Sequence, residues 1–108
     1  MRSLDYLLVG GGLQNALIAS ALAHYRPEAR VALVEAADRV GGNHLWCFHG
    51  LDVPDVAVPF VEPLVVRRWP RYRVRFSSYD RTLEEPYAAV TSDRVHEHLS
   101  RLAAAGRL

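Results

Sequence analysis

An unbroken apolar run, Tyr6-Leu7-Leu8-Val9, leads into three consecutive glycines, Gly10-Gly11-Gly12, and then into an alanine-rich stretch that stops before Pro27. This order constrains the chain more than any other feature. The apolar run predicts a parallel strand covered on both faces. Gly10 permits a tight turn out of that strand, and Gly12, lacking a Cβ, lets the backbone come close to a ligand. Leu13 to Tyr25 then reads as a helix, with Leu13, Ala16, Leu17, Ser20 and Ala21 on one face, and Pro27 ends it. Arg30 to Glu35 is a second strand. Glu35 closes it at about 20 residues beyond the glycine turn, where a carboxylate accepts hydrogen bonds from a ribose hydroxyl. Strand, turn, helix, strand and acid together predict a βαβ unit with a dinucleotide's pyrophosphate at the helix N-terminus. A glycine-rich turn with no ligand is the bland alternative, and the agreement of all five parts counts against it.

One position departs from the pattern. The third glycine is replaced by Asn15. That glycine normally allows close helix–strand packing, and Ala16 and Ala19 keep the neighbouring surface small. The expected contacts to the nucleotide are therefore Gly10, Gly11, Gly12, Leu13, Asn15 and Glu35. Gly41-Gly42 follows shortly after the acid. A plain nicotinamide domain does not require this pair, whereas an acid followed by a diglycine resembles the glutathione-reductase-like flavoproteins. The resident dinucleotide expected is accordingly FAD rather than NAD, with Gly42 among its contacts. Arg39 either meets a phosphate or is a solvated surface arginine.

The chain of 108 residues is long enough for one small domain with a core. Its net charge of +1 offers no bulk attraction for nucleic acid. All 13 basic residues are arginine, which reads as coding bias rather than mechanism. The single cysteine, Cys47, excludes an internal disulfide and fits a reducing, cytoplasmic compartment. No apolar stretch is long enough to read as a transmembrane helix. Leu7 to Ala23 imitates a signal peptide, but Asp5 and the three glycines argue against one.

Beyond the βαβ unit, Asn43 to His49 reads as a loop near the flavin, with Trp46 and Phe48 packed inward and Cys47 buried. His44, Cys47 and His49 do not amount to a zinc site, because no second ligand cluster exists. Leu51 to Pro63, with three prolines, reads as an irregular connection with at most a helical turn. After Pro70, Tyr72, Val74 and Phe76 alternate with Arg71, Arg73 and Arg75, as in a half-buried strand. Arg67, Arg68, Arg71, Arg73 and Arg75 concentrate charge near Trp69 and Tyr72; this reads first as an ordinary exposed strand face, ahead of a surface that sits on anionic lipid headgroups or stacks single-stranded bases. Nucleic acid ranks last, because the dinucleotide unit already accounts for the fold. Tyr87 to Val90 reads as a short strand, Thr91-Ser92-Asp93 as a helix start, and Val95, Leu99, Leu102 and Ala103 as an amphipathic helix stopping at Gly106. Arg94 lies in the first turn, against the dipole preference; it is held for an anionic ligand or merely tolerated. Glu84-Glu85 reads as solvated.

These stretches resemble the FAD-dependent lycopene cyclase family of bacterial carotenoid enzymes. The resemblance lies in Leu8 to Asn15, in Gly41-Gly42-Asn43-His44-Leu45-Trp46-Cys47-Phe48-His49, in Pro63 to Val66, in Trp69 to Phe76, and in Thr91-Ser92-Asp93-Arg94. It covers nearly all of the chain and makes Asn15 a family feature rather than a defect. It implies an α/β chain: a Rossmann-like FAD/NAD(P)-binding βαβ unit with additional strands and a C-terminal helix. It also implies that residues 1–108 are the amino-terminal part of an incomplete domain, without the substrate and catalytic part.

The implied reaction is a redox-neutral cyclisation of the linear ends of lycopene to β-rings. A proton adds to the terminal double bond, the neighbouring double bond closes the ring, and a proton leaves. The flavin is reduced, with NAD(P)H as electron source. The proton donor lies outside this chain, so no catalytic residue is assigned here and the chain alone is expected to be inactive. A lipid-soluble substrate implies peripheral membrane contact. The competing expectations are a fragment of another FAD-dependent oxidoreductase, geranylgeranyl-reductase-like or hydroxylase-like, and a non-catalytic nucleotide-binding module.

Overall fold

The computed structural model describes residues 3–108. Strand β1 (Tyr6–Val9), helix α1 (Leu13–Tyr25) and strand β2 (Val31–Val34) form the βαβ unit. The two strands pair in parallel, Tyr6 opposite Val31 and Val9 opposite Val34. A parallel pair needs a crossover, and α1 supplies it. Asp5 pins the entry to β1, because its carboxylate accepts the Arg30 backbone N–H at 2.8 Å. Small residues let α1 lie close: Ala16, Ala19 and Ser20 are its buried positions.

The second layer is a three-stranded antiparallel sheet in the order β3 (Leu45–His49), β7 (Tyr87–Thr91), β4 (Val65–Trp69). Strand β7 is central, which explains its buried Ala88, Ala89 and Val90. A third element, β5 (Tyr72–Phe76) with β6 (Tyr79–Leu83), is a separate antiparallel hairpin. Between β3 and β4 runs a chain of 3-10 turns around the short helix α2 (Val58–Val61). Helix α3 (Ser92–Ala104) closes the order. Thr91 caps it by accepting the Arg94 N–H. Gly106 ends it at φ +73, where the Gly106 and Arg107 N–H groups reach back to Ala103 and Leu102.

The core joins the layers: Leu8 and Val31 from the parallel pair, Ala16 and Ala19 from α1, Leu64 from the 3-10 turn before β4, Val90 from β7, and Val95 and Leu99 from α3. A hydrogen bond links the two long helices, Ser20 Oγ to His98 Nε2 at 2.7 Å. Ser20 Oγ also lies 2.8 Å from the Ala16 carbonyl, to which it donates within α1.

Several expectations need correction. Strand β1 is not covered on both faces, since Leu7 is 56% and Val9 74% exposed. Residues 45–49 are a strand rather than a loop. Strand alternation sends Trp46 and Phe48 toward the core and Cys47 to the opposite face, where it is exposed rather than buried. Glu85 is half-buried and accepts the Tyr72 hydroxyl at 3.2 Å, so it is not simply solvated. Strands β4 and β6 had no counterpart in the sequence reading.

Leu99→Ala is expected to cost about 3 kcal/mol, because the side chain is fully enclosed and its loss leaves a cavity. The check is a lower denaturation midpoint at unchanged slope. Burial, and next the Arg101 charge, lower the pKa of His98. The unfolded chain therefore binds the proton more readily, and stability falls as pH drops from the ordinary histidine range toward the lowered value. Denaturation midpoints across that window should show a smaller drop in His98→Gln.

Candidate functional site

The site lies where β1 and β2 end. Gly10 sits at φ +99, in the left-handed region that a side chain disfavours. Its N–H donates to the Val34 carbonyl at 2.7 Å, extending the parallel pairing by one step. The Gly11 N–H donates to Glu35 Oε2 at 2.5 Å. The Gly11 carbonyl accepts the Gly41 N–H at 2.7 Å. A Cβ at Gly11 would stand 2.8 Å from Val40 Cγ1, closer than real contacts allow. Gly12 differs: a Cβ there would meet nothing within 4 Å. It faces open space at the start of α1, which has no side-chain cap and no acidic residue in its first turn. An uncapped helix start presents free N–H groups and a partial positive charge.

Asn15 has a role that sequence reasoning missed. Its Nδ2 donates to the Val9 carbonyl at 2.8 Å and to the Gly10 carbonyl at 2.7 Å. Carbonyls at a strand's end need donors, and an amide one turn into the following helix is within reach. Asn15 thus ties the exit of β1 to α1. Leu13 is half-buried and packs against the core. Its side chain is structural, and only its backbone belongs to the helix start.

Glu35 is held at both oxygens, since Oε1 also accepts the Ala37 N–H at 3.2 Å. The Gly11 N–H, and next that of Ala37, keep the carboxyl below the usual glutamate range, so it is ionised at neutral pH. Val9, Gly10, Val34, Glu35 and Ala36 border an open groove of about 420 Å³ beside the carboxyl ends of both strands. Parallel α/β sheets bind ligands at this end.

The diglycine lies against this turn and against α3. Gly41 is at φ +100, and a Cβ on it would come 2.6 Å from the Ser92 carbonyl oxygen. Gly42, at φ +65, lies beside the His44 ring. Ser92 then bonds to both backbone groups of His44, which anchors β3 to the start of α3. Arg39 pairs with Asp93 at 2.6 Å across an exposed surface. Arg94 is engaged elsewhere: its guanidinium donates to the Pro63 and Val65 carbonyls, each at 3.3 Å, and lies 3.6 Å from Glu97. None of these partners belongs to the glycine turn. The structure therefore brings together Gly10, Gly11, Gly12, Asn15 and Glu35, sets Gly42 and Arg39 in the adjoining loop, and uses Arg94 as a clasp between α3 and the entry to β4.

Asn15→Ala is expected to cost about 1–3 kcal/mol, by leaving two carbonyls without their side-chain donor. Asn15→Asp should not restore the loss, because a carboxylate cannot donate. Denaturation midpoints of the two variants check this.

The family model for the lycopene cyclase protein matches residues 5–108. A lycopene beta-cyclase of Pantoea ananas is 44% identical over 97 residues, covering 90% of this chain and 25% of the relative. One of Pseudescherichia vulneris is 42% identical over 95 residues, covering 88% and 25%. One of Paracoccus sp. (strain N81106 / MBIC 01143) is 37% identical over 86 residues, covering 80% and 22%. The chain thus spans about a quarter of the length of these curated relatives. The match takes in the glycine turn, the diglycine, the antiparallel layer and α3 together, and on that evidence the chain belongs to the lycopene cyclase family.

Proposed function

We propose that this chain is the FAD-binding part of a lycopene β-cyclase, with a Rossmann-like βαβ unit holding the ADP half of the cofactor. The observation that carries the reading is the uncapped start of α1 behind an unobstructed Gly12. A diphosphate fits there, because backbone N–H groups point outward and no side chain blocks its approach. Gly10 and Gly11 shape the turn, and Asn15 keeps it closed on β1. The ionised Glu35 retains lone pairs to accept from ribose hydroxyls over the adjoining groove. Arg39 exchanges Asp93 for a phosphate oxygen, or stays paired; the exposed geometry permits both. When bound and reduced by NAD(P)H, the flavin supplies a fixed negative charge in a dry site.

The substrate class follows from the relatives, each named lycopene beta-cyclase. The reaction adds a proton to the terminal double bond of linear lycopene, closes the ring on the neighbouring double bond, and releases a proton. Atoms and electrons balance without net oxidation. No acid of this chain is assigned as the donor, and the contribution of residues 3–108 is to bind and orient. A substrate confined to lipid requires peripheral contact with a membrane from the cytoplasmic side.

The complete protein should retain FAD through gel filtration. Gly12→Val should weaken binding about tenfold or more by obstructing the helix start. Glu35→Gln should weaken it about tenfold, the worth of a charge-assisted hydrogen bond. Cofactor titration by flavin fluorescence measures both. Anaerobic conversion of lycopene to a β-ring product with reduced FAD tests the activity. Absence of bound flavin from the folded protein would overturn the cofactor reading, and turnover without flavin would overturn its role.

A further inference from the structure

The hairpin β5–β6 is the element that the nucleotide site does not use. Its register sets Tyr72 opposite Leu83, Val74 opposite Arg81, and Phe76 opposite Tyr79. Opposed residues share a face, so one face of the ribbon carries Tyr72, Leu83, Val74, Phe76 and Tyr79 together with Arg81. The root of this stripe is covered: Tyr72 stacks near Tyr87 and His49, with ring centroids 5.7 Å and 5.0 Å away. The tip is not. Phe76 is 67% and Tyr79 49% exposed, and their rings lie 6.3 Å apart around the Ser77-Ser78 turn. At about 3.3 Å per residue the tip stands roughly 13 Å beyond the root.

Charge is distributed to match. Arg73 is neutralised by Asp80, and Arg71 lies 3.6 Å from Glu84. Arg75 and Arg81, the arginines nearest the tip, make no ion pair among the described residues; Asp80, opposite Arg75 in the register, is held by Arg73. Around the tip a single carboxylate, Asp80, faces Arg73, Arg75 and Arg81, so two exposed aromatic rings stand ahead of an excess of positive charge. Aromatic side chains favour the headgroup level of a bilayer, and nearby arginines are attracted to anionic headgroups. Among the described residues the hairpin is joined to the rest at its root, so its tip can enter an interface without disturbing the core.

We propose that the β5–β6 tip is the membrane-docking surface of this protein, inserting Phe76 and Tyr79 at the headgroup level of an anionic bilayer, with Arg75 and Arg81 on the lipid phosphates. This rests on the reading of a lipid-soluble substrate and locates the contact that such a substrate requires.

The test is flotation of the complete, FAD-loaded protein with vesicles of phosphatidylcholine alone or with about 30% phosphatidylglycerol, whose anionic headgroups give a negative surface. The unaltered protein should float with the anionic vesicles, and less so as salt is raised. Phe76→Ser with Tyr79→Ser, and separately Arg75→Gln with Arg81→Gln, should each weaken binding about tenfold or more. Flavin content serves as the folding control. Lycopene in detergent micelles should still be converted by these variants, because no bilayer has to be engaged there. Unchanged flotation of both variants would overturn the proposal, as would equal binding to neutral vesicles. Failure to convert lycopene alongside tip-dependent flotation would overturn the cyclase reading and leave the docking surface standing.

Discussion

Three segments of the chain meet at the peptide units of Gly11. Its N–H is held by the Glu35 carboxylate at the end of β2, and its carbonyl by the Gly41 N–H from the loop beyond. Its missing Cβ leaves room for Val40. Remove any of these and the two strand ends, the start of α1 and the diglycine loop lose their common reference. The carboxylate is therefore a structural acceptor, and in the proposed function it also accepts from a ribose. These roles are compatible, because an ionised carboxylate has about four lone-pair sites and the two backbone N–H groups occupy only part of them.

From that point order spreads through glycine and small residues. Gly41 touches the carbonyl of Ser92 where no side chain would fit, so α3 starts directly on the loop. Ser92 then fixes His44 and sets the register of β3 on β7. Ala16 and Ala19 let α1 sit close enough to the strands for Leu8 and Val31 to reach the shared core. The glycine turn and the antiparallel layer are thus mechanically connected, although their sheets are separate. Arg94, drawn to the carbonyls of Pro63 and Val65, strengthens the same connection from the other end of the loop system.

Legibility in the sequence tracked the range of the interactions involved. Helix α1 could be read from Leu13 to Tyr25 because its start and stop are local: a glycine turn before it and Pro27 after it. Helix α3 was equally readable from Thr91, Val95, Leu99 and Gly106. Strand β3 carries no strand signature in its sequence, because Leu45-Trp46-Cys47-Phe48-His49 has apolar or aromatic residues on both faces and no alternation. Strand β6, Tyr79-Asp80-Arg81-Thr82-Leu83, is exposed along most of its length, so burial imposed no period on it. Its identity comes from pairing with β5, which a linear reading does not contain.

The sequence by itself determined the βαβ unit, the positions of the turn glycines and the acid, and the family. Each depends on residue type at short, fixed spacing, where steric freedom or charge leaves few alternatives. Only the tertiary structure decided that Asn15 fastens the turn, that Arg94 is bound to backbone carbonyls, that Cys47 faces outward and that the β5–β6 tip stands clear. Those outcomes depend on which donors and acceptors from distant segments arrive within about 3 Å of one another, and only the folded chain brings them there.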